Sequence, residues 1–435
     1  MTTKPVWALE PLSQVVDILD SRRVPVKAAD RAARGGDVPY YGATGQAGTI
    51  DRAIFDEPLI LLGEDGAPFF DPSKSKAYLI DGPAWVNNHA HVLRAKPCLD
   101  RRFLKYYLDL FDYRGFANGT TRLKLTQGAM RTIPVPVPDV SEQRWIVGVL
   151  ETHLSHLDAA ADYASAALAR AASLREELIR RTVTGADVTI PRSGCDLTDA
   201  GTQDGDLPSL PQGWTWRRLG DVAEVVGGVT KDSKKQSLPG MVEVPYLRVA
   251  NVQRGALKLD EVSSIRVTPQ KAQALELRAG DVLLNEGGDR DKLARGWVWE
   301  GEVPNCIHQN HVFRARLRID LDPYFLSYTA NTLGGRWAER NGKQSVNLAS
   351  ISLSMIRRMP VIVPPEGVSA RVVNELRDRL EEVDRLEKAA HRSQAHSASL
   401  RRAILAAAFE GKLTGRHTDT EVIEDMVSGH GKAMR

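Results

Sequence analysis

The sequence predicts an α/β protein of two pseudo-symmetric domains, each with mixed strands and short helices, separated by two long helices that form an antiparallel coiled coil. Three observations predict this architecture. The chain repeats its own motifs in the same order, which indicates an internal duplication. Each copy ends with a Pro-rich strand and then a segment of about 45 residues without internal proline. The first of these segments also has the apolar spacing of a coiled coil.

The duplication is clearest at the ends of the two copies. "SLREELIRRTVTG" begins at Ser173 and "SLRRAILAAAFEGKLTG" at Ser399, while "IPVPVP" begins at Ile133 and "MPVIVP" at Met359, so both pairs are 226 positions apart. Other motifs pair in the same order: "WALEPLSQVV" with "WTWRRLGDVAEVV", "DVPYYGATG" with "EVPYLRVAN", "LILLGEDG" with "DVLLNEGG", "VNNHAHVLRA" with "IHQNHVFRA", and "NGTTRLKL" with "GKQSVNL". The offset drifts from about 206 to 226, so a common frame carries different loops. Variable loops on a shared frame favour two related surfaces that recognise different targets.

These motifs divide the chain into six predicted segments. They are a first domain (1–140), a first long helix (141–185), a linker (186–212), a second domain (213–366), a second long helix (367–411) and a flexible C-terminal tail (412–435). The linker is rich in Gly, Asp, Ser, Thr and Pro, which is typical of irregular structure.

The long helices carry the predicted coiled-coil seam. In the first helix the apolar spacing is 4, 3, 4, 3, 4, 3, through Leu150, Leu154, Leu157, Ala161, Ala164, Leu168 and Ala171. In the second helix the equivalent positions are Leu376, Leu380 and Val383, whereas Gln394 and Ser397 replace the later apolar residues.

The length of these helices favours pairing with each other over packing on their own domains. At ~1.5 Å per residue each would be a rod of roughly 65 Å, longer than a domain of this size is wide. If each rod leads out of its own domain, antiparallel pairing puts the two domains at opposite ends. Two recognition domains held at a fixed separation suit duplex DNA, whose base pairs repeat every ~3.4 Å along its axis.

Charge content, apolar runs and cysteine spacing limit the class of protein to which the chain can belong. The chain has 435 residues, 26% of them charged, and a formal net charge of +3, values that are ordinary for a soluble protein and permit nucleic-acid binding. It contains no apolar run of membrane-spanning length, and its start lacks the layout of a signal peptide. Cys98, Cys195 and Cys306 lie far apart, without a C-x-x-C pair. We therefore expect a cytoplasmic protein without a disulfide framework.

The ordered double set of motifs resembles the specificity (S) subunit of type I restriction-modification systems, over nearly the whole chain. The resemblance rests on "LPSLPQGWTWRRLGDVAEV", "NGTTRLKL", "IPVPVPDVSEQRWIV" and "LREELIRRTVTG", followed by the second set that closes with "LRRAILAAAFEGKLTG". It implies two target-recognition domains, each reading one half of a bipartite DNA site. The paired helices would set the spacer and dock two modification subunits, which are adenine methyltransferases that use S-adenosylmethionine. ATP-driven restriction subunits, requiring Mg, would complete a phage-defence nuclease.

The resemblance also implies that this chain has no catalytic activity and no cofactor of its own. The sequence contains neither the Gly-rich loop and Asn/Asp-Pro-Pro-aromatic motif of an adenine methyltransferase nor a P-loop. Acidic pairs such as Glu64 with Asp65, and Glu286 with Asp289, are interpreted as turn-forming or capping residues. Histidines occur two or three positions apart without a nearby third ligand, so we predict no metal site.

Polar residues in the predicted loops are the candidates for DNA contact. Most contacts should go to phosphates, and Arg, Lys, Asn or Gln should read base edges. The candidates are Arg22, Arg23, Tyr41, Thr44, Asn87, Asn88, Thr120, Thr121, Arg122 and Lys124 in the first domain, and Lys231, Lys234, Lys235, Arg248, Asn251, Arg290, Lys292, Gln309, Asn310, Lys343 and Gln344 in the second. Each of them could instead be an ordinary solvated loop residue, and Asn87 with Asn88 could close a turn.

Two other functions remain open at this point. The chain could be the DNA-reading subunit of another restriction or phage-defence system, with a different catalytic partner. It could also be a coiled-coil scaffold that binds no DNA.

Overall fold

The computed structural model describes residues 7–232, 237–288, 292–344 and 349–412. The chain forms two compact units: one joins the residues up to 166 to those from 389 onward, and the other spans 167–388. Apart from Lys412, the predicted tail lies outside the described residues. Three predicted DNA contacts, Lys234, Lys235 and Arg290, and the side chain of Gln344 also lie outside them.

The first domain is built from short strands and short helices. Its strands are β1 (Leu9–Pro11), β2 (Val16–Ile18), β3 (Val38–Gly42), β4 (Gly45–Ile50), β5 (Phe55–Asp56), β6 (Leu59–Gly63), β7 (Ala77–Ile80), β8 (Pro83–Val86), β9 (Ala90–Ala95), β10 (Ala117–Asn118), β11 (Lys124–Leu125) and β12 (Pro134–Pro136). Its helices are α1 (Leu12–Val15), α2 (Ala28–Ala33), α3 (Arg101–Leu110) and α4 (Gln127–Arg131), and the long helix α5 (Val140–Thr184) follows.

Two sheets organise this domain. One has the antiparallel order β2-β9-β6-β7, and the other has the order β4-β3-β8-β5 with β3 and β8 parallel. The run "LILLG" of β6 is buried throughout. Because successive side chains of a strand point to opposite faces, Ile60 and Leu62 enter one core while Leu59 and Leu61 enter another.

The second unit contains the linker and the second domain. Its strands are β13 (Arg192–Ser193), β14 (Leu210–Pro211), β15 (Thr215–Arg218), β16 (Ala223–Gly227), β17 (Val242–Leu247), β18 (Val252–Gln253), β19 (Ala256–Leu257), β20 (Ser263–Val267), β21 (Asp281–Asn285), β22 (Gly287–Gly288), β23 (Gly296–Trp299), β24 (Ile307–His308), β25 (Val312–Leu317), β26 (Lys343–Gln344), β27 (Ala349–Ser350) and β28 (Pro360–Val363). Its helices are α6 (Leu219–Val222), α7 (Pro269–Leu275), α8 (Pro323–Thr329), a π-helical turn (Ala330–Gly334), α9 (Gly335–Asn341), α10 (Leu353–Ile356) and the long α11 (Val368–Phe409).

The second domain repeats the topology of the first. Its antiparallel sheet has the order β16-β25-β21-β23, and its second sheet has the order β20-β17-β24 with β17 and β24 parallel. Strand β15 pairs with β28 as β1 pairs with β12. The motif duplication is therefore also a duplication of the four-stranded sheet and of register, while the second sheet differs by lacking, among the described residues, a counterpart of β5 and by the β18–β19 hairpin inserted between β17 and β20.

Each long helix is rooted in its own domain by an equivalent contact. Asp100 caps α3 and Asp322 caps α8, each by accepting hydrogen bonds from two backbone N–H groups. The backbone N–H of Asp100 donates to Gln143 of α5, at 2.7 Å, and that of Asp322 donates to Ser369 of α11, at 3.0 Å. The first turn of each long helix is thereby tied to a short helix of the preceding domain.

Both long helices also end in the same way. Gly185 and Gly411 have positive φ values of 59° and 72°. The N–H groups of Ala186 and Lys412 then reach back five residues, to the carbonyl groups of Arg181 (2.9 Å) and Ala407 (3.0 Å). This is the glycine-dependent C-terminal cap of a helix, and it accounts for the glycine that follows each helix at positions 226 residues apart, Gly185 and Gly411.

In the first unit the start of α5 packs against the end of α11. Leu150 and Leu154 share one core with Leu400 and Ile404, together with residues of the first domain. Gln394 donates a hydrogen bond to the Ser165 hydroxyl at 3.0 Å. As the numbering rises along α5 it falls along α11, so the helices are antiparallel.

In the second unit the end of α5 packs against the start of α11. Val183 shares a core with Val373 and Leu376. Arg175 forms ion pairs with Asp384 and Glu387, again in antiparallel order. The prediction of two α/β domains and an antiparallel pair of long helices is thus confirmed.

The predicted seam positions lie at these contacts. They are buried at Leu150, Leu154, Ala164, Ala171, Leu376, Leu380 and Val383, and half-buried at Leu157, Ala161 and Leu168. The helices α5 and α11 contain 45 and 42 residues, and none of the described helices combines the length and the apolar character that crossing a bilayer requires.

The linker is more ordered than its composition predicts. It contains the strand pair β13–β14, and Asp204 accepts hydrogen bonds from the guanidinium of Arg218 and from the Trp337 ring N–H at 2.8 Å. Burial alone would raise the pKa of Asp204, but these hydrogen bonds outweigh it and hold the pKa below its usual value. The linker is therefore packed onto the second domain.

The helix pairing predicts a large cost for truncating Leu150. Replacing this fully buried side chain, L150A, should lower the free energy of unfolding by about 2–5 kcal/mol, through lost burial and the cavity left behind. The matched control is Tyr163→Ala on the same helix, where 79% of the residue is exposed and the change should stay within about 0.5 kcal/mol. Urea unfolding followed by circular dichroism measures both, and equal midpoints would contradict the packing described.

Candidate nucleic-acid interface

A cleft at one edge of the first domain collects several predicted DNA contacts. It has a volume of about 620 Å³ and lies between the β3–β4 hairpin and the loops that follow β6 and β8 and precede β11. Its polar lining side chains are Thr44, Gln46, Asp65, Asn87, His89, Thr121 and Arg122. Residues from four separate stretches of sequence thus meet in one concave surface.

Backbone hydrogen bonds hold these loops together. The N–H of Glu64 donates to the carbonyl of His89 and the N–H of Leu125 donates to the carbonyl of Glu64, both at 2.8 Å. The N–H of Asn87 donates to the carbonyl of Tyr41 at 3.1 Å. Because the main chain makes these bonds, the loop positions depend little on the exposed side chains.

The second domain has the same three bonds at equivalent places. The N–H of Glu286 donates to His311 at 2.9 Å, that of Ile351 to Glu286 at 2.8 Å, and that of Gln309 to Leu247 at 2.9 Å. Strand β27 lies between β22 and β26, which brings Lys343 to the same edge. One backbone frame therefore presents a different set of loop side chains in each domain.

Beneath the first cleft lies a buried charge network. His91 Nδ1 is 2.6 Å from Asp20 Oδ2, and His91 Nε2 is 2.9 Å from the Leu125 carbonyl. Arg23 donates to Glu64 and to the Ala90 carbonyl, each at 2.7 Å. Burial would raise the pKa of Asp20, but its hydrogen bonds and the charge of His91 hold the pKa below the usual value.

Three side chains of this network are close enough to suggest a metal site. The ligand atoms of Asp20, Glu64 and His91 lie within 4.8 Å of one another. However, the guanidinium of Arg23 already contacts Glu64, and both nitrogens of His91 face protein oxygen atoms. The donor set is therefore satisfied within the protein and fits an ion-pair network.

The Asp20–His91 pair is not repeated at the equivalent described positions of the second domain. The topology aligns Asp20 with Gly227 and His91 with Phe313, which are register partners between β16 and β25. A buried, hydrogen-bonded Asp–His pair in one copy is thus replaced by a glycine and an aromatic ring in the other.

Some of the predicted DNA contacts have side chains that are buried or that hydrogen-bond within the protein. Only 13% of the Arg23 side chain is exposed. Asn87 accepts from the His89 N–H and closes a turn, while Asn251 is buried and bonds the backbone of Arg248, Lys258 and Glu261. We assign these three side chains a structural role.

Other candidates are exposed. In the first domain Thr44, Asn88, Thr120, Thr121, Arg122 and Lys124 are exposed, and Tyr41 is half-buried with its ring 5.9 Å from that of Tyr78. Arg22 is also exposed, although it binds Glu57 and the Ile54 carbonyl at 3.0 Å. In the second domain Lys231 and Lys343 are exposed, whereas Arg248, Lys292, Gln309 and Asn310 are half-buried. For the exposed residues DNA contact stays a prediction.

Sequence reasoning did not select Gln46, which lines the cleft from the tip of the β3–β4 hairpin. The available signal is "YGATGQAGTI", in which Gly45 and Gly48 have φ values of 126° and 140°. Such conformations favour glycine, so the spacing marks a tight turn that presents the residues between them.

His308, beside the candidate loop of the second domain, is fully buried and neutral. Its Nδ1 donates to the Val312 carbonyl at 2.6 Å, and burial lowers the pKa of the ring to about 4. The equivalent residue of the first domain is Val86, because β3–β8 and β17–β24 share a register. At this one position the second copy therefore has a titratable side chain where the first has valine.

Comparisons with known proteins agree with this geometry. A family model described as "Type I restriction modification DNA specificity domain" matches residues 6–161. An inferred type I restriction enzyme specificity subunit from Haemophilus influenzae is 34% identical over 142 residues, which are 33% of this chain and 36% of that protein. The StySPI specificity subunit of Salmonella potsdam is 25% identical over 69% of this chain and 62% of its own length. The chain thus spans less than two thirds of either relative.

Longer matches extend over both domains. The EcoDI specificity subunit of Escherichia coli is 21% identical over 98% of this chain and 93% of that protein. A solved chain described under complex assembly and conformational transition of the type I R-M system covers 94% of this chain and 99% of its own, with a TM-score of 0.65 and 18% identity. The HsdS subunit from Thermoanaerobacter tengcongensis covers 94% and 98%, with a TM-score of 0.50 and 18% identity. At these identities the solved structures establish the fold.

The burial of His308 predicts a loss of stability in mild acid. An unfolded histidine binds a proton below a pKa of about 6.5, whereas the folded ring does so only near 4. Stability should therefore fall by about 1.4 kcal/mol per pH unit as the pH drops from 6.5 towards 4, beyond any change from other groups.

The His308→Val variant supplies the comparison, because valine occupies the equivalent position in the first domain. Urea unfolding at several pH values should show a shallower pH dependence for His308→Val than for the wild type. Parallel curves would show that the folded ring binds its proton normally.

Proposed function

We propose that this chain is a member of the family of type I restriction-modification specificity subunits and acts as the DNA-recognition subunit of a type I restriction-modification complex. Each domain reads one half of a bipartite site in double-stranded DNA. The paired helices set the spacer between the half-sites and dock two modification subunits.

The observation that carries this proposal is the repeated loop frame with different side chains on it. Three equivalent backbone hydrogen bonds position the loops in each domain. The first domain then presents Asn88 and Arg122, and the second presents Gln309 and Lys343. Two domains that share this backbone frame but carry different polar side chains on their loops would dock on DNA in the same manner and recognise different bases.

The chemistry of the exposed groups fits this role. Arg and Lys bind phosphates, while Asn and Gln pair with base edges in the major groove. Arg122 and Lys124 remain more than half exposed although they lie 2.9 Å and 3.4 Å from Asp65 and Glu64. Exposed ion pairs of this kind are weak, so a phosphate can replace the carboxylate.

The spacer follows from the helix pair. In each unit an apolar seam holds α5 and α11 in a defined antiparallel register. A change of one heptad in both helices would alter their length by ~10 Å, or about three base pairs of DNA. The length of the helix pair would thus set the number of base pairs in the spacer between the half-sites, which neither domain recognises.

The complex would obtain its chemistry from other chains. We propose that this subunit is not an enzyme, that its modification partners methylate adenine with S-adenosylmethionine, and that restriction subunits use ATP and Mg, in the cytoplasm. The proposal is supported by the family and by the absence from the sequence of a methyltransferase motif and a P-loop.

The test is methylation-sensitive sequencing of genomic DNA from the host with and without this gene. A split motif methylated on adenine should be present in the wild type, vanish on deletion and return on complementation. A methylome that does not change on deletion, in a host whose modification subunit is expressed, would contradict the proposal.

A domain exchange tests whether the two readers act separately. Replacing Val38–Thr126, from the start of β3 to the N-cap of α4, with the same segment of a family member that retains Glu64 and His91 keeps their buried bonds to Arg23 and Asp20 outside the segment. This exchange should change one half of the methylated motif and leave the other half and the spacer intact. Replacing the segment with that of a relative that reads the same half-site is the control. A change in both halves would show that the domains do not read independently.

A further inference from the structure

Three arginines lie together on one face of the β4-β3-β8-β5 sheet in the first domain. The guanidinium of Arg31 is 4.5 Å from the centre of the Tyr40 ring. Those of Arg34 and Arg52 are 4.7 Å and 5.7 Å from the centre of the Trp85 ring. Tyr40 and Trp85 are register partners on neighbouring strands, so their rings share a face. We call Arg31, Arg34 and Arg52 the arginine face.

The rings below the arginine face are fixed. Tyr40 and Trp85 are 1% and 0% exposed, and they share a small core with Ile50. The Trp85 ring N–H donates to the Val24 carbonyl at 2.8 Å. A guanidinium stacked flat on a ring keeps its N–H edges free to donate, which suits it to bind phosphate oxygens.

The segment that carries Arg31 and Arg34 is held close to the sheet. A Cβ atom on Gly36 would lie 2.5 Å from both the Asp51 Cα and the Ile50 carbonyl oxygen, so only glycine fits there without displacement. The two arginines are therefore held at a defined position over the strands.

The arginine face carries more positive than negative charge. Arg34 donates to the Asp51 carboxylate at 3.0 Å and 2.6 Å. Within the described part of the chain, Arg31 and Arg52 form no ion pair with a carboxylate. Asp51 also feels the charge of Arg52, so one carboxylate serves two of the arginines and the three guanidinium groups keep a net positive charge on a preorganised surface.

The duplication supplies independent support. Arg31 and Arg34 lie between β2 and β3, and the equivalent segment of the second domain, between β16 and β17, contains Lys231, Lys234 and Lys235. Of these lysines Lys231 is described, and it is exposed. Both copies therefore carry basic residues at the same point of the fold, although the residues themselves differ.

We propose that the arginine face binds the phosphate backbone of the duplex at the half-site that the first domain reads. This inference rests on the proposed function and adds a contact surface to it. The occupant is double-stranded DNA because its phosphates offer a dense negative charge that complements the net positive charge of the arginine face. Such contacts carry no base information and position the domain on the duplex.

The experiment uses the full chain reconstituted with the modification subunit of its host. Binding is measured by fluorescence anisotropy across a salt series, on a duplex that carries the methylated motif and on one with the motif scrambled. The Arg31→Gln/Arg52→Gln variant should reduce the slope of log K against log salt by about 0.9 per contact, or roughly two units in total, on both duplexes. The preference for the motif should not change.

Two variants separate phosphate binding from loss of structure. Arg31→Lys/Arg52→Lys keeps the charges and should keep most of the salt slope. Arg114→Gln removes one charge from a side chain of the same domain that is 78% exposed and should have no effect on the slope.

Other outcomes would overturn the inference. A wild-type slope in the glutamine variant, or a loss confined to the motif duplex, would show that the arginine face does not bind phosphates. A variant that binds DNA normally but no longer retains the modification subunit would assign the face to a protein partner. If the wild-type complex binds neither duplex, the proposed function itself fails.

Discussion

The apolar contact between α5 and α11 is the constraint on which both domains depend, because it completes both cores. In the first unit Leu400 and Ile404 of α11 join residues of β6 and α3, and in the second unit Val183 of α5 joins residues of β16 and β21. Each core therefore contains a segment from the other half of the sequence. A chain cut between the two copies would expose the apolar residues that this contact covers in each unit, and exposed apolar patches favour association. The two copies consequently fold as one interdependent protein.

Within this arrangement, main-chain bonds and side chains have separate tasks. The bonds that join Glu64 to His89, and Glu286 to His311, involve backbone atoms and recur in both copies. The side chains at the loop tips take no part in them and can change without loss of the frame. Surface loops on a rigid scaffold are where binding residues are usually found. This division explains how the copies could diverge in recognition while the strand order and register of their four-stranded sheets stayed the same.

The sequence was sufficient for features that depend on periodicity and order. The heptad spacing identified the seam at Leu150 and Leu154, and the glycines repeated 226 positions apart marked the helix ends at Gly185 and Gly411. It was insufficient where a role depends on pairing between distant residues. Arg23 and Arg31 look alike in the sequence, yet one is bonded to Glu64 and the other stacks on Tyr40. Likewise, the composition of the linker does not reveal that Asp204 binds Arg218 and Trp337, because that order comes from tertiary contacts.

The buried network around Asp20 and His91 limits which sequence segments the two copies can exchange without loss of stability. In the other copy the same places hold Gly227 and Phe313. A gene conversion that moved a single strand between the copies would leave a carboxylate or an imidazole facing an apolar neighbour, and a buried charge without its partner is strongly destabilising. Exchange of a whole domain keeps each pair together. Stability therefore favours exchange at the boundaries of a domain over exchange of a single strand within it.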